Sequence, residues 1–305
     1  VEPVWKFVLW KRLNLHKNRC IRQFGKAEQV SAFSIKKEMD MRVALTIAGS
    51  DSSGGAGIQA DVETFSAFRI YSASVITAVT AQNTQGMEEI HSLPPSFVAK
   101  QIDAVCKDIK IDGVKIGMLY SSEMVEVVWD RLKFWKIPLV IIDPVMVAKD
   151  GSFLLQENAI GLLISKLFSL ATLVTPNLLE AERIANQPIS SEKDMELAAK
   201  KIYQLGCKAV LIKGGHLKGD PVDIFFDGNR ALRFPGIRVR KEPVHGTGCT
   251  LSSAILSGLI WAQSIEKAIS WAKLYVTRAI ETGVACGHGA LVLNHFLDPF
   301  TLERV

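Results

Sequence analysis

The sequence has no CxxC pair among its five cysteines (Cys20, Cys106, Cys207, Cys249 and Cys286), and its six histidines form no HxxxH pair. Odd in number and scattered, the cysteines form neither a disulfide framework nor a zinc site. They suit a reducing compartment, and a cytoplasmic location is expected. No apolar run reaches the roughly 18 to 20 residues of a membrane-spanning helix, so no membrane partner is expected. The phosphate-binding pattern GxxxxGK[S/T] is missing too, which excludes the usual P-loop. No Pro/Gly/Ser-rich linker, internal repeat or low-complexity tract divides the chain.

Charge is scarce where nucleic-acid binding would need it. The net charge is +5, but residues 1–40 hold nine Lys/Arg against four Asp/Glu, which leaves 27 of each sign in residues 41–305. A neutral body does not support a basic groove, so no nucleic-acid partner is expected. Residues 1–40 mix aromatic and basic side chains without a helix or strand period. They lack the long apolar stretch of a secretory signal and the Ser-rich, acid-poor make-up of a transit peptide. Met41 stands immediately before the first strand-like run. The expectation is a basic, loosely ordered or non-native extension over 1–40, followed by a single domain over 41–305.

From Met41 onward, short β-branched runs alternate with amphipathic segments of helical length. Strands are expected over 43–48, 73–79, 113–117, 139–143, 172–175, 209–213 and 223–226. Helices are expected over 58–68, 96–107, 122–135, 157–167, 178–185, 193–205, 249–262 and 265–282. Repeated strand-then-helix units imply a parallel sheet, because a crossover helix returns the chain to begin a parallel neighbour. Runs such as Leu139-Val140-Ile141-Ile142 are apolar without alternation, as strands covered on both faces should be. The fold class is therefore α/β, one doubly wound, mostly parallel sheet flanked by helices on both faces. In such sheets ligands bind beyond the carboxyl ends of the strands.

Chemistry concentrates at those ends. AGSDSSGGAGIQAD, from Ala48 to Asp61, is a glycine-rich turn between strand and helix. Its Gly55-Ala56-Gly57 formally opens a dinucleotide fingerprint, but the next strand ends in the amides Gln82 and Asn83 where a ribose-binding acid belongs. The alternative is close backbone approach to a small polar ring, with Asp61 and Gln82 as hydrogen-bonding groups; Asp61 also has a plain reading as an acid in a first helical turn. Asp143, ending an apolar strand before Pro144, can hold Mg²⁺ beside a nucleotide phosphate, or simply form an Asp-Pro turn. Asn177 with Glu180 three residues on reads as a capping box, which is compatible with a water-mediated magnesium contact. Lys213, before Gly214-Gly215-His216, offers a cation to phosphate oxygens; His216 reads as structural. In VHGTGCTLSS, the N–H groups of Gly246, Thr247, Gly248 and Cys249 can face an anion at a helix start, where unpaired donors and the dipole favour negative charge. A helix start also favours thiolate and can bring the pKa of the Cys249 thiol toward neutrality, while the plain reading is a buried cysteine at a helix start.

Taken together, the strings LTIAGSDSSGGAGIQAD, VTAQNT, KIGML, IIDPVM, TPNLLEAE, KGGH and HGTGCTLSSA, in that order, resemble the hydroxymethylpyrimidine/phosphomethylpyrimidine kinases of thiamine biosynthesis, in the ribokinase-like superfamily. The resemblance covers residues 41 to about 298. It implies a ribokinase-like fold, ATP and Mg²⁺, and two successive phosphorylations of one aminopyrimidine, first to the monophosphate and then to the diphosphate; it also implies a homodimer. By this resemblance Gly49, Asp61, Gln82, Met118 and Val145 surround the pyrimidine, Asp143 and Glu180 serve the metal, and Asn177 and Lys213 serve the nucleotide. Gly246, Thr247, Gly248 and Cys249 form the catalytic anion hole, with Cys249 where many sugar kinases carry an aspartate base. The competing readings are a pyridoxine/pyridoxal kinase, a non-catalytic pyrimidine-binding sensor and a sugar kinase of relaxed specificity. Gln82 favours the aminopyrimidine, because an amide both donates and accepts. The tail departs from the family pattern: Ala290-Leu291-Val292-Leu293 separates Gly287-His288-Gly289 from Asn294-His295. The loop over 147–153 is the expected closing element.

Overall fold

The computed structural model describes residues 41–302 except 148–150, 152, 216, 218, 241 and 243. The expectation for the 1–40 extension, the role of His216 and most of the expected closing loop therefore lie outside the described residues.

The chain opens with β1 (Val43–Asp51), α1 (Gly57–Ala67), β2 (Tyr71–Gln82), β3 (Met87–Ser92), α2 (Pro95–Asp108), β4 (Gly113–Ile116), α3 (Ser122–Trp135) and β5 (Val140–Ile142). It continues through α4 (Glu157–Leu162), β6 (Leu173–Val174), α5 (Leu178–Ala185), α6 (Glu192–Tyr203), β7 (Val210–Ile212), β8 (Val222–Phe226) and β9 (Ala231–Pro235). The last elements are β10 (Val244–His245), α7 (Thr247–Ile260), α8 (Ile265–Glu281) and β11 (Leu291–Val292). The main sheet has nine strands in the order β3-β2-β1-β4-β5-β6-β7-β8-β9. Strands β2, β1, β4, β5, β6 and β7 run parallel; β3 pairs antiparallel with β2 at one edge, and at the other β8 pairs antiparallel with β7 and β9 antiparallel with β8.

The unalternating apolar strands have the expected cause. Val43, Leu45 and Ile47 of β1, with Val140 and Ile142 of β5, join a core formed with α2 to α6, while Ala44 and Ile141 join a second core with α1, α7 and α8. Both faces are thus covered. The chain leaves β1 toward β2 on one side and β4 on the other, so the order reverses at β1. A reversal of this kind opens a crevice at the carboxyl ends of the strands on either side of it, where the candidate residues follow Asp51, Ile116 and Ile142.

Three differences from the sequence-based expectation have physical reasons. Strands β3 and β9 carry mostly exposed or half-exposed side chains at the sheet edges, so no apolar run marks them. The helix expected over 157–167 is α-helical only to Leu162, then continues as a π turn (Leu163–Leu167) and a 3₁₀ turn (Phe168–Leu170). Buried Ala159, Leu163, Leu167 and Ala171 recur every four residues, wider than the α period, and a wider turn keeps them facing the sheet. Finally, α7 begins at Thr247 rather than Cys249, with Gly246 as its N-cap.

Candidate functional site

Asp51 ends β1 and organises the glycine turn from within. Its Oδ1 accepts from the Ser53 N–H and hydroxyl, both at 2.8 Å, and its Oδ2 accepts from the Ala56 N–H at 2.9 Å. Burial alone would raise Asp51, but hydrogen bonds from His245 and Ser53 hold its carboxyl below the usual carboxylate range. Two of the turn's amides are therefore spent on an internal anion, which, with the missing ribose acid, disfavours a dinucleotide pyrophosphate there. Gly57, at φ +58°, closes the turn so tightly that a Cβ would stand 2.3 Å from the Gly49 carbonyl oxygen.

The start of α7 docks on this turn. Gly246 has φ +85°, and a Cβ on it would stand 1.9 Å from the Gly55 carbonyl oxygen. The first backbone bond of α7 runs from the Thr250 N–H to the Gly246 carbonyl at 3.0 Å, so the preceding amides lie in the unpaired first turn. Below them, Thr250 is held by His295, whose Nε2 is 2.9 Å from the threonine hydroxyl while its Nδ1 is 2.7 Å from Glu63. Gly248 faces the charged pair: a Cβ there would stand 3.3 Å from Lys213 Nζ and 3.4 Å from Asp143 Oδ2.

Asp143 and Lys213 come from two different strand ends and meet at 2.5 Å. Asp143 is buried, and its Oδ1 also accepts from the Thr175 hydroxyl at 3.1 Å. Burial would lower the Lys213 ammonium, but Asp143 and Glu180 beside it raise it, so it stays charged. Asn177 and Glu180 form the capping box: the Glu180 N–H donates to Asn177 at 3.0 Å and the Asn177 N–H to Glu180 at 2.7 Å. Burial pushes the Glu180 carboxyl up to about 7, with the Asp143 charge adding to it and Lys213 opposing it. Asp143, Lys213, Gly248 and Glu180 thus share one neighbourhood, although the two members of the ion pair are 70 positions apart in the chain.

Two expectations need correction. Asp61 does not front an open ring site. It is fully buried in the second turn of α1, where Lys115 Nζ lies 2.8 Å from its Oδ1 and the hydroxyls of Thr46 and Ser253 donate to it at 2.6 and 2.8 Å. Its oxygens are taken up by a buried lysine from β4 and two hydroxyls, and its second-turn position means that it is not a first-turn helix acid either. Cys249 departs from expectation as well, since burial pushes its thiol up, not down. Lys115 and the Gly57 N–H oppose that rise, while Asp61 and Asp143 add to it.

Gly49 and Met118 do meet: a Cβ on Gly49 would stand 3.0 Å from Met118 Sδ. Met118 is nearly buried, and Val145, two residues after Asp143, is half-buried. Gln82 lies across the glycine turn, its amide nitrogen 3.0 Å from His245 Nε2. The same ring nitrogen is 2.9 Å from Asp51 Oδ2. His245 escapes sequence reasoning because its partners are remote, Asp51 by 194 positions and Gln82 by 163. Lys115 escapes it because a lysine in an apolar run usually reads as a strand edge. The divergent tail lies against the end of β2: the N–H groups of Gly289 and Ala290 donate to the Thr84 hydroxyl and carbonyl at 3.1 and 2.8 Å.

The chain is similar to known proteins in sequence and in fold. The family model for phosphomethylpyrimidine kinase matches residues 51–294. The thiamine biosynthesis bifunctional protein ThiED of Geobacter sulfurreducens is 48% identical over 254 residues, covering 83% of this chain and 52% of that protein, so the match spans about half of that relative's length. The hydroxymethylpyrimidine/phosphomethylpyrimidine kinase of Rhizobium meliloti is 46% identical over 259 residues, 83% of this chain and 97% of that one. Among solved structures, a phosphomethylpyrimidine kinase from Clostridium difficile superposes with a TM-score of 0.71 at 45% identity, over 78% of this chain and 99% of that one. A Bacillus subtilis pyridoxal kinase in complex with ADP gives a TM-score of 0.77 at 33% identity, over 84% and 97%.

Proposed function

This chain belongs to the phosphomethylpyrimidine kinase family and has its ribokinase-like fold, and on that premise we propose that it phosphorylates 4-amino-5-hydroxymethyl-2-methylpyrimidine with ATP, first to the monophosphate and then to the diphosphate. The observation that carries the reading is the meeting of the α7 N-terminus with Asp143 and Lys213 around Gly248. A cation, unpaired amides and a carboxylate converge on one point, which is what a transferring phosphoryl group needs. A protein that only binds the pyrimidine has no use for this arrangement.

In this reading Gly49, Gln82, Met118 and Val145 bound the ring, while Asp61 acts behind them through Lys115. Lys213 and Asn177 hold the nucleotide phosphates, and the amides of Gly246, Thr247, Gly248 and Cys249 receive the oxygens of the moving phosphoryl group. Among the described residues no cluster of three metal-ligating side chains exists. That pattern still suits Mg²⁺, which keeps several waters and takes one or two carboxylates plus substrate phosphates. Asp143 and Glu180 would hold it, and it would neutralise charge on the phosphates. Among the described residues no helix is long and apolar enough to cross a membrane; a cytoplasmic location belongs to the same reading, and a homodimer rests on the family alone.

Cys249 stands where the hydroxyl attacks. In the first step the hydroxymethyl proton must leave as its oxygen bonds to phosphorus; in the second the nucleophile is already an anionic phosphate oxygen. Lys115, fixed behind Cys249, favours thiolate against the burial that opposes it. Cys249→Ala is therefore expected to lower the first phosphorylation by about 100-fold and the second by less than about 10-fold, on the usual scale of general-base catalysis. The two products are followed separately with each step's substrate, and equal losses would leave Cys249 only a part of the anion hole.

The pyridoxal kinase likeness supports a second reading. Side-by-side kcat/KM values on the hydroxymethylpyrimidine and on pyridoxal decide between them. The expected preference for the pyrimidine is at least about 100-fold, because a site that hydrogen-bonds a polar edge rejects a ligand that leaves its groups unpaired. A preference for pyridoxal would overturn the assignment.

A further inference from the structure

The surroundings of Gln82 specify more than its presence in the site. Its backbone is pinned by Ser52, whose hydroxyl donates to the Gln82 carbonyl at 2.7 Å and accepts from its N–H at 2.9 Å. The side-chain amide is flanked on both sides. His245 Nε2 lies 3.0 Å from one amide heteroatom and the Thr80 hydroxyl 3.2 Å from the other. Each flanking group has a second obligation: His245 Nε2 is 2.9 Å from Asp51 Oδ2, and Thr80 donates to the Ser50 carbonyl at 3.0 Å.

Counting hydrogens then decides which end of the amide is which. An ionised carboxylate only accepts, so His245 Nε2 must carry a hydrogen toward Asp51. A nitrogen bearing that hydrogen cannot also accept from an amide NH₂, but it can share the hydrogen with an amide oxygen. On the other flank, the single Thr80 hydrogen is committed to Ser50, which leaves its oxygen lone pairs for an N–H donor. Amide oxygen and nitrogen have nearly the same shape, and the network assigns them. Both conflicts vanish when the oxygen faces His245 and the NH₂ faces Thr80.

We infer that His245, anchored by Asp51, is a positioning residue that fixes the Gln82 amide with its oxygen toward His245 and its NH₂ toward Thr80, so that the free edge presents acceptor and donor in one order to an aminopyrimidine. This rests on the reading that Gln82 contacts the pyrimidine. The outer lone pair and the outer N–H are held by His245 and Thr80. The remaining lone pair and the N–H beside it point the same way and match an exocyclic amine next to a ring nitrogen. The amine lies on the His245 side. A hydroxypyridine lacks that adjacent pair, so the fixed amide also selects against it.

The test is steady-state kinetics with the aminopyrimidine and ATP on the full chain. Gln82→Ala is expected to raise the pyrimidine KM; if it does not, Gln82 is not a pyrimidine contact and both that reading and this proposal fall. His245→Leu is expected to raise the pyrimidine KM by about 10-fold, the upper scale of a hydrogen bond between neutral groups, while the ATP KM changes less than about 2-fold. His245→Gln, which places an N–H near the Nε2 position, should restore most of the loss. In the Gln82→Ala background His245→Leu should add less than about 2-fold, because it acts through Gln82. A normal pyrimidine KM in His245→Leu beside a raised one in Gln82→Ala overturns the proposal alone, as does equal damage from the Leu and Gln variants or full additivity with Gln82→Ala. Should His245→Leu fail to fold, Thr80→Val removes the opposite flank at constant volume, and a pyrimidine KM unchanged there overturns the proposal equally.

Discussion

Gly246→Ala is expected to lower kcat/KM by about 1000-fold, the largest catalytic effect of any single methyl group in this site. Two independent costs fall on that position. The added Cβ would lie 1.9 Å from the Gly55 carbonyl oxygen, and the backbone holds φ +85°, where residues other than glycine are strained. The obstacle is backbone, so it cannot swing aside. Either the cradle retreats from the glycine turn or the turn, with Asp51 and its bound amides, moves away. Loss of one aligned oxyanion donor costs roughly 100- to 1000-fold, and a misplacement of about 1 Å costs about 100-fold. Gly248→Ala is the informative comparison. Its Cβ meets only Lys213 Nζ and Asp143 Oδ2, at 3.3 and 3.4 Å, and no backbone. That variant should keep nearly the parent melting temperature yet lose activity, because the methyl group stands in front of the charged pair. Thermal melting with single-turnover phosphoryl transfer separates the two cases; equal destabilisation by both would refute the steric argument.

Lys115→Met is expected to give the largest loss of stability, about 3–5 kcal/mol. Lys115 is wholly buried in β4, and its charge is matched by Asp61, also wholly buried. Burial works to lower the lysine, but the charge of Asp61 beside it, with that of Asp143, raises it well above its ordinary value, so Lys115 stays charged. Removing the cation leaves Asp61 with the Thr46 and Ser253 hydroxyls alone. For a domain of this size the deficit corresponds to a fall in melting temperature of roughly 10 °C. Adding Asp61→Asn should recover at least half of it, since neutralising both members removes the uncompensated charge. A second consequence reaches the site: without Lys115 the Cys249 thiol rises further, and its alkylation at fixed pH should slow. A variant that melts within about 2 °C of the parent would show that the buried pair is not ionised.

Much of the proposed phosphoryl-transfer half of the site is legible in the sequence. Asp143, Asn177, Glu180, Lys213 and the Gly246-Thr247-Gly248-Cys249 segment each follow a strand or open a helix, and strand ends can be read from apolar runs. The capping box of Asn177 and Glu180 is readable because its two members are three residues apart. The ring side is less so. Asp61 resembles a ligand contact because its motif sits in a glycine turn; its true partner, Lys115, lies 54 positions away on another strand. Cys249 resembles a ready thiolate because a helix start favours one, but the burial that opposes ionisation is a property of the packed neighbourhood.

Periodicity and residue types within a few positions of one another are enough to dictate the order of the central strands and the helices, the two-faced burial of the sheet and the set of groups able to handle a phosphate. Packing alone settles which charges face the site and which neutralise one another beneath it, and packing alone puts His245 between Asp51 and Gln82. Local pattern carries no distance between residues brought together by a fold, and the ionisation of a buried group depends on what packs around it.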